Sequence, residues 1–455
     1  MFAKVLIANR GEIACRIIRT CKRMGVRTVA IYSDADRKGL HADLADEAYH
    51  VGPPPATASY LNMDRILAIA KEAEVEAIHP GYGFLSENET FAQRCVDAGI
   101  VFIGPTPEAI HLMGNKGVAR RFMRLAGAPI VPGVESEIRD AAHASELAKS
   151  VGFPVIVKAM EGGGGIGISV ARTPESLKAA LESALARAQR AFGRSHIYLE
   201  KYIEGARHIE VQLLADQNGA VRHLFDRDCS LQRRYQKVVE EAPSPAVTPE
   251  LRHRMTETGV QIGRLAAYQN AGTIEFLMDQ DKSYYFLEMN TRLQVEHRVT
   301  EAITGLDLVE LQLRLAAGEP MPFEQKDIKM RGHAIECRIY AEDPWELLPN
   351  TGTITRLVEP SGKNILVDSG VVQGSEVTVY YDPMLAKLIT WGPTRESAMS
   401  TMREALDAYQ VEGVQTNIPF LRDVIRHPSF QSGDYNTAFL GQLRAQRAKS
   451  KAGSR

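Results

Sequence analysis

The chain has 455 residues, of which 44% are hydrophobic. A chain of this length can bury a large core and, at roughly 150 residues per domain, form about two to four domains. Its formal net charge is −2, from 54 Lys and Arg against 56 Asp and Glu, which excludes a global attraction to nucleic acid or to an anionic membrane.

The cysteines and the apolar runs indicate the compartment. The five cysteines are scattered and lack C-x-x-C spacing, which favours reduced thiols over a disulfide framework or a zinc site. No apolar run is long enough for a signal peptide or a membrane span. We therefore expect a cytoplasmic protein.

Residues 1–114 alternate apolar strands with amphipathic helices. Strands are predicted at "KVLIA", "RTVAIY", "EAIHP" and "VFIGP", and helices over 12–24 and 61–72. Short, continuous strands rich in β-branched residues are typical of a parallel sheet covered on both faces, so we predict an open α/β domain. A dinucleotide site is disfavoured, because "VLIANRGEIA" has one glycine where that fingerprint requires three.

Residues 115–330 form a second region that contains a glycine-rich segment, "EGGGGIGI". Helices are predicted over 118–126, 141–150 and 174–191, and strands at "PVIVKAM", "HIYLEKYI", "HIEVQLLAD" and "VRHLFDRDCSLQRR". The glycine segment lies between strands, whereas the glycine loop of a P-loop protein opens a helix. We predict a flexible hairpin that closes over a ligand.

Residues 331–446 form a third, mixed region. Strands are predicted at "HAIECRIYAED", "GTITRLVEP" and "YYDPMLAKLITW", and a helix over 396–409. The polar and basic residues 447–455 are expected to be a frayed tail.

Two predicted strands of the second region each carry one glutamate among apolar neighbours, Glu275 in "TIEFL" and Glu288 in "YFLEMN". If the strands are adjacent, the two carboxylates lie side by side. Mg²⁺ is bound by such carboxylates together with substrate phosphates, and Asn290 could add a carbonyl oxygen. The alternative is a structural pair satisfied by Arg292 or by backbone donors.

The residues after the second glutamate could bind a small planar oxyanion. Arg292, Gln294 and Glu296 share one face if the chain stays extended, and they supply a bidentate donor, a second donor and a base. Surface ion pairing is the alternative. His297 is interpreted as a packed or capping residue.

A basic cluster, "RRYQK", contains Arg233, Arg234 and Lys237. Clusters of this size are usually solvated, but this one lies between strands. Phosphate contact and a solvated face both remain open.

Long motifs in order along almost the whole chain resemble the biotin carboxylase component of biotin-dependent carboxylases. They are "ANRGEIACRIIR", "HPGYGFLSEN", "MGNK", the glycine segment, "DCSLQRRYQKVVEEAP", "LEMNTRLQVEHRVTE" and "GHAIECRIYAED". The resemblance implies an ATP-grasp fold of mixed α/β class. Its N-terminal α/β domain is followed by a central nucleotide domain, with a mobile lid over about 131–203, and by a mixed C-terminal domain.

The resemblance also implies a nucleotide site. In this family the glycine loop and two lysines hold the phosphates of ATP, and a following segment receives the adenine. The implied ATP-binding residues are Lys116, Lys158, Gly163, Gly164, Gly165, Glu200, Lys201, Ile203, His208, Gln232, Glu275 and Glu288. The implied ligands of two Mg²⁺ or Mn²⁺ ions are Glu275, Glu288 and Asn290.

The implied reaction has two steps. Bicarbonate is held by Lys237, Arg292, Gln294, Val295 and Glu296. Glu296 acts as the general base, and attack on the γ-phosphate gives carboxyphosphate. Carbon dioxide released from it then meets biotin, whose enolate-like ureido oxygen is stabilised by Arg338, with Tyr82 near the biotin pocket.

The chain departs from the family pattern at five positions. Glu161 replaces a frequent glycine, Ile166 and Ile168 replace a basic residue and a methionine, Tyr235 replaces a histidine, and Arg298 replaces a proline. The first three fall in the lid and bear on its closure and on ATP affinity.

The expected partners follow from what the sequence lacks. It has no Met-Lys-Met biotin attachment motif and no carboxyltransferase-sized extension. We expect a separate, homodimeric subunit that works with a biotin carboxyl carrier protein and carboxyltransferase subunits, and the sequence does not identify the carboxyl acceptor. Two other functions remain, a different ATP-grasp ligase and a non-catalytic nucleotide-binding subunit.

Overall fold

The computed structural model describes residues 1–134, 138, 141–159, 169–192 and 197–453. The glycine segment, with Gly163, Gly164, Gly165 and the departures Glu161, Ile166 and Ile168, lies outside the described residues, and so does the side chain of Lys116. Within the described residues, no helix is long and apolar enough to cross a lipid bilayer.

The N-terminal part is a five-stranded parallel sheet with helices between its strands. The strands, in the order β3-β2-β1-β4-β5, are β1 (Lys4–Ile7), β2 (Arg27–Ser33), β3 (Glu47–Gly52), β4 (Ala77–His79) and β5 (Val101–Phe102). The helices are α1 (Gly11–Arg23), α2 (Leu40–Leu44), α3 (Met63–Glu72), α4 (Glu89–Asp97) and α5 (Pro107–Gly114).

The predicted open α/β domain is confirmed, and local sequence explains its elements. Ile13, Ile17 and Cys21 form the buried stripe of α1, since they recur at helical spacing. The prediction missed β3, because this edge strand alternates half-buried and exposed residues up to the buried Val51, instead of forming an apolar run.

A small four-stranded sheet follows. Its strands, in the order β6-β9-β7-β8, are β6 (Gly133–Val134), β7 (Val155–Ala159), β8 (Ser169–Ala171) and β9 (Ile197–Lys201). Its helices are α6 (Lys116–Leu125), α7 (Ala141–Val151) and α8 (Pro174–Phe192). Because β7 and β8 pair antiparallel, the glycine segment connects two neighbouring strands, as predicted.

The largest element is one antiparallel eight-stranded sheet, in the order β14-β13-β10-β11-β12-β15-β20-β18. Its strands are β10 (Arg207–Ala215), β11 (Val221–Arg233), β12 (Gln236–Ala242), β13 (Asn270–Met278), β14 (Tyr284–Asn290), β15 (His333–Tyr340), β18 (Ile365–Ser369) and β20 (Met384–Gly392). The boundary expected between residues 330 and 331 therefore falls between strands of a single sheet, joined by the β12–β15 ladder.

Helices and short strands complete the chain. The helices are α9 (Pro249–Leu265), α10 (His297–Thr304), α11 (Leu308–Ala316), α12 (Arg395–Ala408), α13 (Ile418–Arg426), α14 (Pro428–Ser432) and α15 (Phe439–Gly453). Two further antiparallel pairs join β16 (Gly352–Thr353) to β19 (Glu376–Val377) and β17 (Arg356–Val358) to β21 (Gln410–Glu412).

Two expectations are corrected. The chain does not stay extended through Arg292, Gln294 and Glu296, because β14 ends at Asn290 and α10 begins at His297. The expected frayed tail over 447–455 is helical as far as Gly453, since Arg447 pairs with Asp423 and lies over the Trp345 ring.

Candidate active site

A cavity of about 720 Å³ opens between the small sheet and the large sheet. It collects most of the predicted site residues that the structure describes. Those lining it are Lys158, Glu200, Lys201, Ile203, His208, Gln232, Lys237, Glu275, Glu288, Asn290, Arg292, Gln294, Val295, Glu296 and Arg338. The fold therefore brings together residues that lie up to 180 positions apart, from Lys158 to Arg338.

The two glutamates are cross-strand neighbours, as predicted. Strands β13 and β14 pair antiparallel with Glu275 opposite Glu288. Asn290, two residues beyond Glu288, donates its amide to Glu275 Oε1 at 2.8 Å. Three oxygen-bearing side chains thus lie at one end of a strand pair, which is a suitable arrangement of hard donors for Mg²⁺.

The ammonium group of Lys237 lies at the centre of three carboxylates. Its Nζ is 2.6 Å from Glu210 Oε2, 2.7 Å from Glu275 Oε1 and 2.5 Å from Glu296 Oε1. Burial disfavours the charge, but the carboxylates outweigh it and raise the pKa of Lys237 well above its ordinary value. The lysine therefore stays charged and holds carboxylates from three different segments together.

Glu296 joins this cluster to Arg338. Burial would raise the pKa of Glu296, but Lys237 and Arg338 hold it below its ordinary value, so the carboxylate is ionised at neutral pH. Its second oxygen accepts a hydrogen bond from the Arg338 guanidinium at 3.0 Å. Arg338 also donates to Glu240 Oε1 at 2.6 Å and is thereby clamped between two carboxylates.

His208 lies beside the metal-binding candidates. Its Nε2 is 3.2 Å from Glu275 Oε2 and 3.5 Å from Glu210 Oε2. Burial alone would lower the pKa of His208, but the adjacent carboxylates raise it to about 9. The imidazole is therefore cationic at neutral pH and adds a second positive group beside Lys237.

The donors at the cavity rim reach it from different directions. Arg292 Nε donates to Glu87 Oε2 at 2.8 Å, which ties the site to the N-terminal part.

The two lysines at the cavity rim have different partners. Lys158 Nζ contacts Glu200 Oε2 at 2.5 Å, whereas Lys201 Nζ donates to the carbonyls of Gly152 and Phe153 at 3.0 and 2.7 Å. Lys201 thus contributes main-chain atoms to the cavity wall more than its charge. Gln232 donates to the carbonyl of Cys229.

The basic cluster does not act as one unit. Lys237 contacts the buried carboxylates, whereas Arg233 pairs with Glu342 at the far end of its strand. Arg234 and Tyr235 form the β11–β12 turn with positive φ angles of 50° and 68°. The sequence left phosphate contact and a solvated face open for this cluster, and neither interpretation describes all three basic residues.

Tyr82 and His297 do not line the cavity. The Tyr82 ring centroid is 5.7 Å from Lys387 Nζ, behind the 295–296 segment. His297 is fully buried, with Nδ1 2.8 Å from the carbonyl of Gln294, so it is a packed residue as interpreted from the sequence.

Several buried charges were missed by sequence reasoning. Arg227, on β11, is fully buried and contacts Glu210, Thr300 and the side-chain oxygen of Gln294. The available signal was charged residues within strands that also carry apolar ones, Glu210 in "HIEVQLL" and Arg227, flanked by Asp226 and Asp228, in "LFDRDC". Such residues are rare in a core unless they are paired.

Three family models match consecutive parts of the chain. Residues 115–324 match the family model "Carbamoyl-phosphate synthase L chain, ATP binding domain". Residues 1–110 match "Biotin carboxylase, N-terminal domain", and residues 336–442 match "Biotin carboxylase C-terminal domain".

Relatives and solved structures cover nearly the whole chain. "Biotin carboxylase 2" of Bacillus subtilis is 54% identical over 97% of this chain and 100% of its own length. The "Propionyl-CoA carboxylase alpha chain" of Ruegeria pomeroyi is 48% identical over 97% of this chain and 68% of its own length.

Among solved structures, the biotin carboxylase domain dimer of Hydrogenobacter thermophilus 2-oxoglutarate carboxylase, in complex with MgADP, ADP and bicarbonate, has a TM-score of 0.94 and 49% identity, covering 97% of this chain and 98% of that chain. A biotin carboxylase complex from Campylobacter jejuni has a TM-score of 0.95 and 43% identity, covering 97% and 99%. The fold is that of an ATP-grasp enzyme. The chain belongs to the biotin carboxylase family, which confirms the resemblance drawn from its motifs.

Proposed function

We propose that this chain catalyses the ATP-dependent carboxylation of biotin by bicarbonate, the first half-reaction of a biotin-dependent carboxylase. The observation that carries the proposal is the Lys237 cluster. One buried ammonium gathers Glu210, Glu275 and Glu296, and Glu296 extends the network to Arg338. A metal-binding candidate, a base and a cation for a developing oxyanion are thus held in one cavity.

The nucleotide occupies the part of the cavity between the small sheet and β13–β14. Lys158 and the glycine segment offset the phosphate charge from one side. Glu275, Glu288 and Asn290 would supply oxygen ligands for Mg²⁺, which would neutralise charge on the phosphate oxygens once bound. Until then, Lys237 and His208 balance the charge of Glu275.

Bicarbonate lies between Arg292, Gln294 and Lys237, which offer N–H donors to its oxygens. Glu296 is ionised and accepts the bicarbonate proton. The freed oxygen attacks the γ-phosphorus, the bond to the β-phosphate oxygen breaks, and ADP and carboxyphosphate result. Cleavage of the carbon–oxygen bond of carboxyphosphate, with the electron pair leaving on the phosphate, then releases carbon dioxide and inorganic phosphate beside biotin.

Biotin is activated at Arg338. Its ureido nitrogen becomes nucleophilic when the phosphate released from carboxyphosphate takes its proton, and the negative charge then moves to the ureido oxygen. The guanidinium stabilises that oxygen because Glu240 and Glu296 fix its orientation in advance. The nitrogen then forms a bond to the carbon of carbon dioxide.

Assembly and location belong to the same proposal. We propose a homodimer that receives biotin on a separate carrier protein and passes carboxybiotin to a carboxyltransferase. The names of the similar proteins support this, since they include the alpha chain of a propionyl-CoA carboxylase and a biotin carboxylase domain dimer. A cytoplasmic location is supported by the five cysteines, all of which are free and buried.

The first experiment is transfer of radiolabelled bicarbonate to free biotin by the purified chain with ATP and Mg²⁺, each component being omitted in turn. Acid-labile carboxybiotin that requires every component supports the proposal. ATP hydrolysis that is independent of bicarbonate and biotin would favour another ATP-grasp ligase. Tight ATP binding without transfer, either to free biotin or to a biotinylated carrier, would favour a non-catalytic subunit.

A further inference from the structure

A second buried lysine lies directly behind the site. Lys387 is fully buried on β20, opposite Arg338 on β15 and opposite Asp368 on β18. Residues opposite each other in antiparallel strands project from the same face of the sheet. Asp368, Lys387 and Arg338 therefore form a row of charges across three strands, and the row ends at the cavity.

The Lys387 ammonium contacts all three parts of the chain. It donates to the main-chain carbonyl of Val295 at 3.1 Å. It forms an ion pair with Glu12 Oε2 of α1 at 3.2 Å and lies 3.8 Å from Asp368 Oδ2. It also lies 5.7 Å from the centre of the Tyr82 ring.

The two carboxylates beside Lys387, those of Glu12 and Asp368, differ in the number of cations that pair with them. Asp368 has a second cation, because Arg298 Nε lies 2.8 Å from its Oδ2. Among the described residues, Lys387 is the one cation that forms an ion pair with Glu12. If Lys387 served only to balance buried charge, its ion pair with Glu12 would account for it. Its hydrogen bond to the neutral Val295 carbonyl neutralises no charge and so requires another explanation.

The Val295 carbonyl belongs to the peptide that leads into Glu296. A peptide unit is planar, so fixing its carbonyl fixes the direction in which the chain enters the next residue. Glu296 is the N-cap of α10, and its side chain meets Lys237 at 2.5 Å and Arg338 at 3.0 Å. The orientation of this one peptide therefore bears on both contacts of the proposed base.

We propose that Lys387 is a positioning residue for the carboxylation reaction: by holding the Val295 carbonyl, it sets the peptide that presents Glu296 to Lys237 and Arg338. This inference rests on the proposed function, since it assigns Glu296 as the base. Lys387 acts through the main chain and touches none of the reacting atoms.

The test separates positioning from charge balance by using a double variant. Lys387→Met alone removes the ion-pair partner of the buried Glu12 as well as the hydrogen bond to Val295, so it changes the balance of charge and the positioning contact together. Lys387→Met with Glu12→Gln removes both charges, so the double variant should fold and melt close to the wild type. Glu12→Gln alone is the matched control and should retain wild-type turnover.

The expected result is a split between binding and turnover. The double variant should bind ATP within about twofold of the wild type, while its bicarbonate-dependent kcat falls by about tenfold or more, because small misplacements of a catalytic group are costly. Wild-type turnover in the double variant would overturn the proposal, since Lys387 would then only balance Glu12.

A crystal structure of the double variant gives a readout that does not depend on activity. We expect the Val295 carbonyl to rotate and Glu296 to lose its contact with Lys237 or Arg338. An unchanged main chain over 294–296 would overturn the positioning role even if the wild type turned over no bicarbonate. Inactivity of the wild type itself would instead count against the proposed function.

Discussion

At the scale of single residues, Glu296 is the group on which the proposed chemistry depends most. Glu296→Gln keeps the size of the side chain but removes the proposed base. We expect bicarbonate-dependent turnover to fall by about 10²-fold or more, with ATP affinity nearly unchanged. Steady-state kinetics and calorimetric ATP titration measure the two effects. An equal loss of ATP binding would show that the carboxylate is structural.

Glu336 provides a matched control for that substitution. It is a fully buried glutamate on β15, and burial raises its pKa well above the ordinary value despite the opposing effect of Lys387. Burial therefore favours the protonated form, and Glu336→Gln replaces that form by a neutral group of the same shape. We expect turnover and melting temperature to stay close to those of the wild type.

Arg338 is expected to affect biotin rather than the nucleotide. Arg338→Ala removes the cation proposed for the ureido oxygen and leaves Glu240 without its hydrogen-bonded partner. Burial already raises the pKa of Glu240 to about 7, so that carboxyl takes up a proton when the guanidinium is lost. Carboxylation of biotin should fall by about 10²-fold or more, with ATP binding retained. Unchanged carboxylation in an isotope-transfer assay would remove this role.

At the scale of elements, the buried histidine at the end of β4 makes the free energy of unfolding depend on pH. His79 is fully buried, and its Nδ1 accepts a hydrogen bond from the Gly81 N–H at 3.0 Å in the turn that carries Tyr82. Burial lowers the pKa of His79 to about 3. An unfolded histidine titrates near pH 6.5, so between these values the unfolded chain binds the additional proton and stability falls as the pH falls.

We expect this proton to account for about 1.4 kcal/mol of lost stability per pH unit below about pH 6. His79→Asn keeps an acceptor near the same position but does not titrate in this range. Urea unfolding at several pH values between 4.5 and 7 should therefore show a smaller slope of stability with pH for the variant. Identical slopes would contradict the assignment.

The elements also show what the sequence could predict. The parallel strands were predictable because their apolar runs are continuous, and the Glu275–Glu288 pairing was predictable because each strand carries one charge in an apolar setting. The approach of Arg292, Gln294 and Glu296 was predicted from an extended chain, which the structure does not contain. These side chains reach one cavity because the chain turns after Asn290 into α10.

Other contacts could not be predicted, because they depend on packing between distant segments. Arg292 meets Glu87 across 205 positions. Lys387 meets Glu12 across the junction of the first and last parts of the chain. Neither pair has a local pattern, since helical and strand periodicity report only which face of an element is buried.

At the scale of the whole molecule, nucleotide should stabilise all parts that border the cavity. A ligand that binds only the folded chain adds about 2.7 kcal/mol of stability at a concentration 100 times its Kd. We therefore expect MgATP to raise the melting temperature in a concentration-dependent manner. Lys158→Met should reduce this increase, because it removes the cation beside Glu200 that we propose to face the phosphates. A melting temperature that does not respond to MgATP would contradict the nucleotide site.

The ion pairs that join different parts of the chain restrict which parts can be exchanged with those of a homologue. Glu12 and Glu87 are supplied by the N-terminal part, Arg292 by the central part and Lys387 by the C-terminal part. A chimaera whose N-terminal part comes from a homologue without an acidic residue at position 12 loses the ion-pair partner of the buried Lys387, and Arg292 depends in the same way on position 87. Exchanges of the N-terminal part should therefore succeed with donors that carry an acidic residue at both positions, and residues 12 and 387 should change together during evolution.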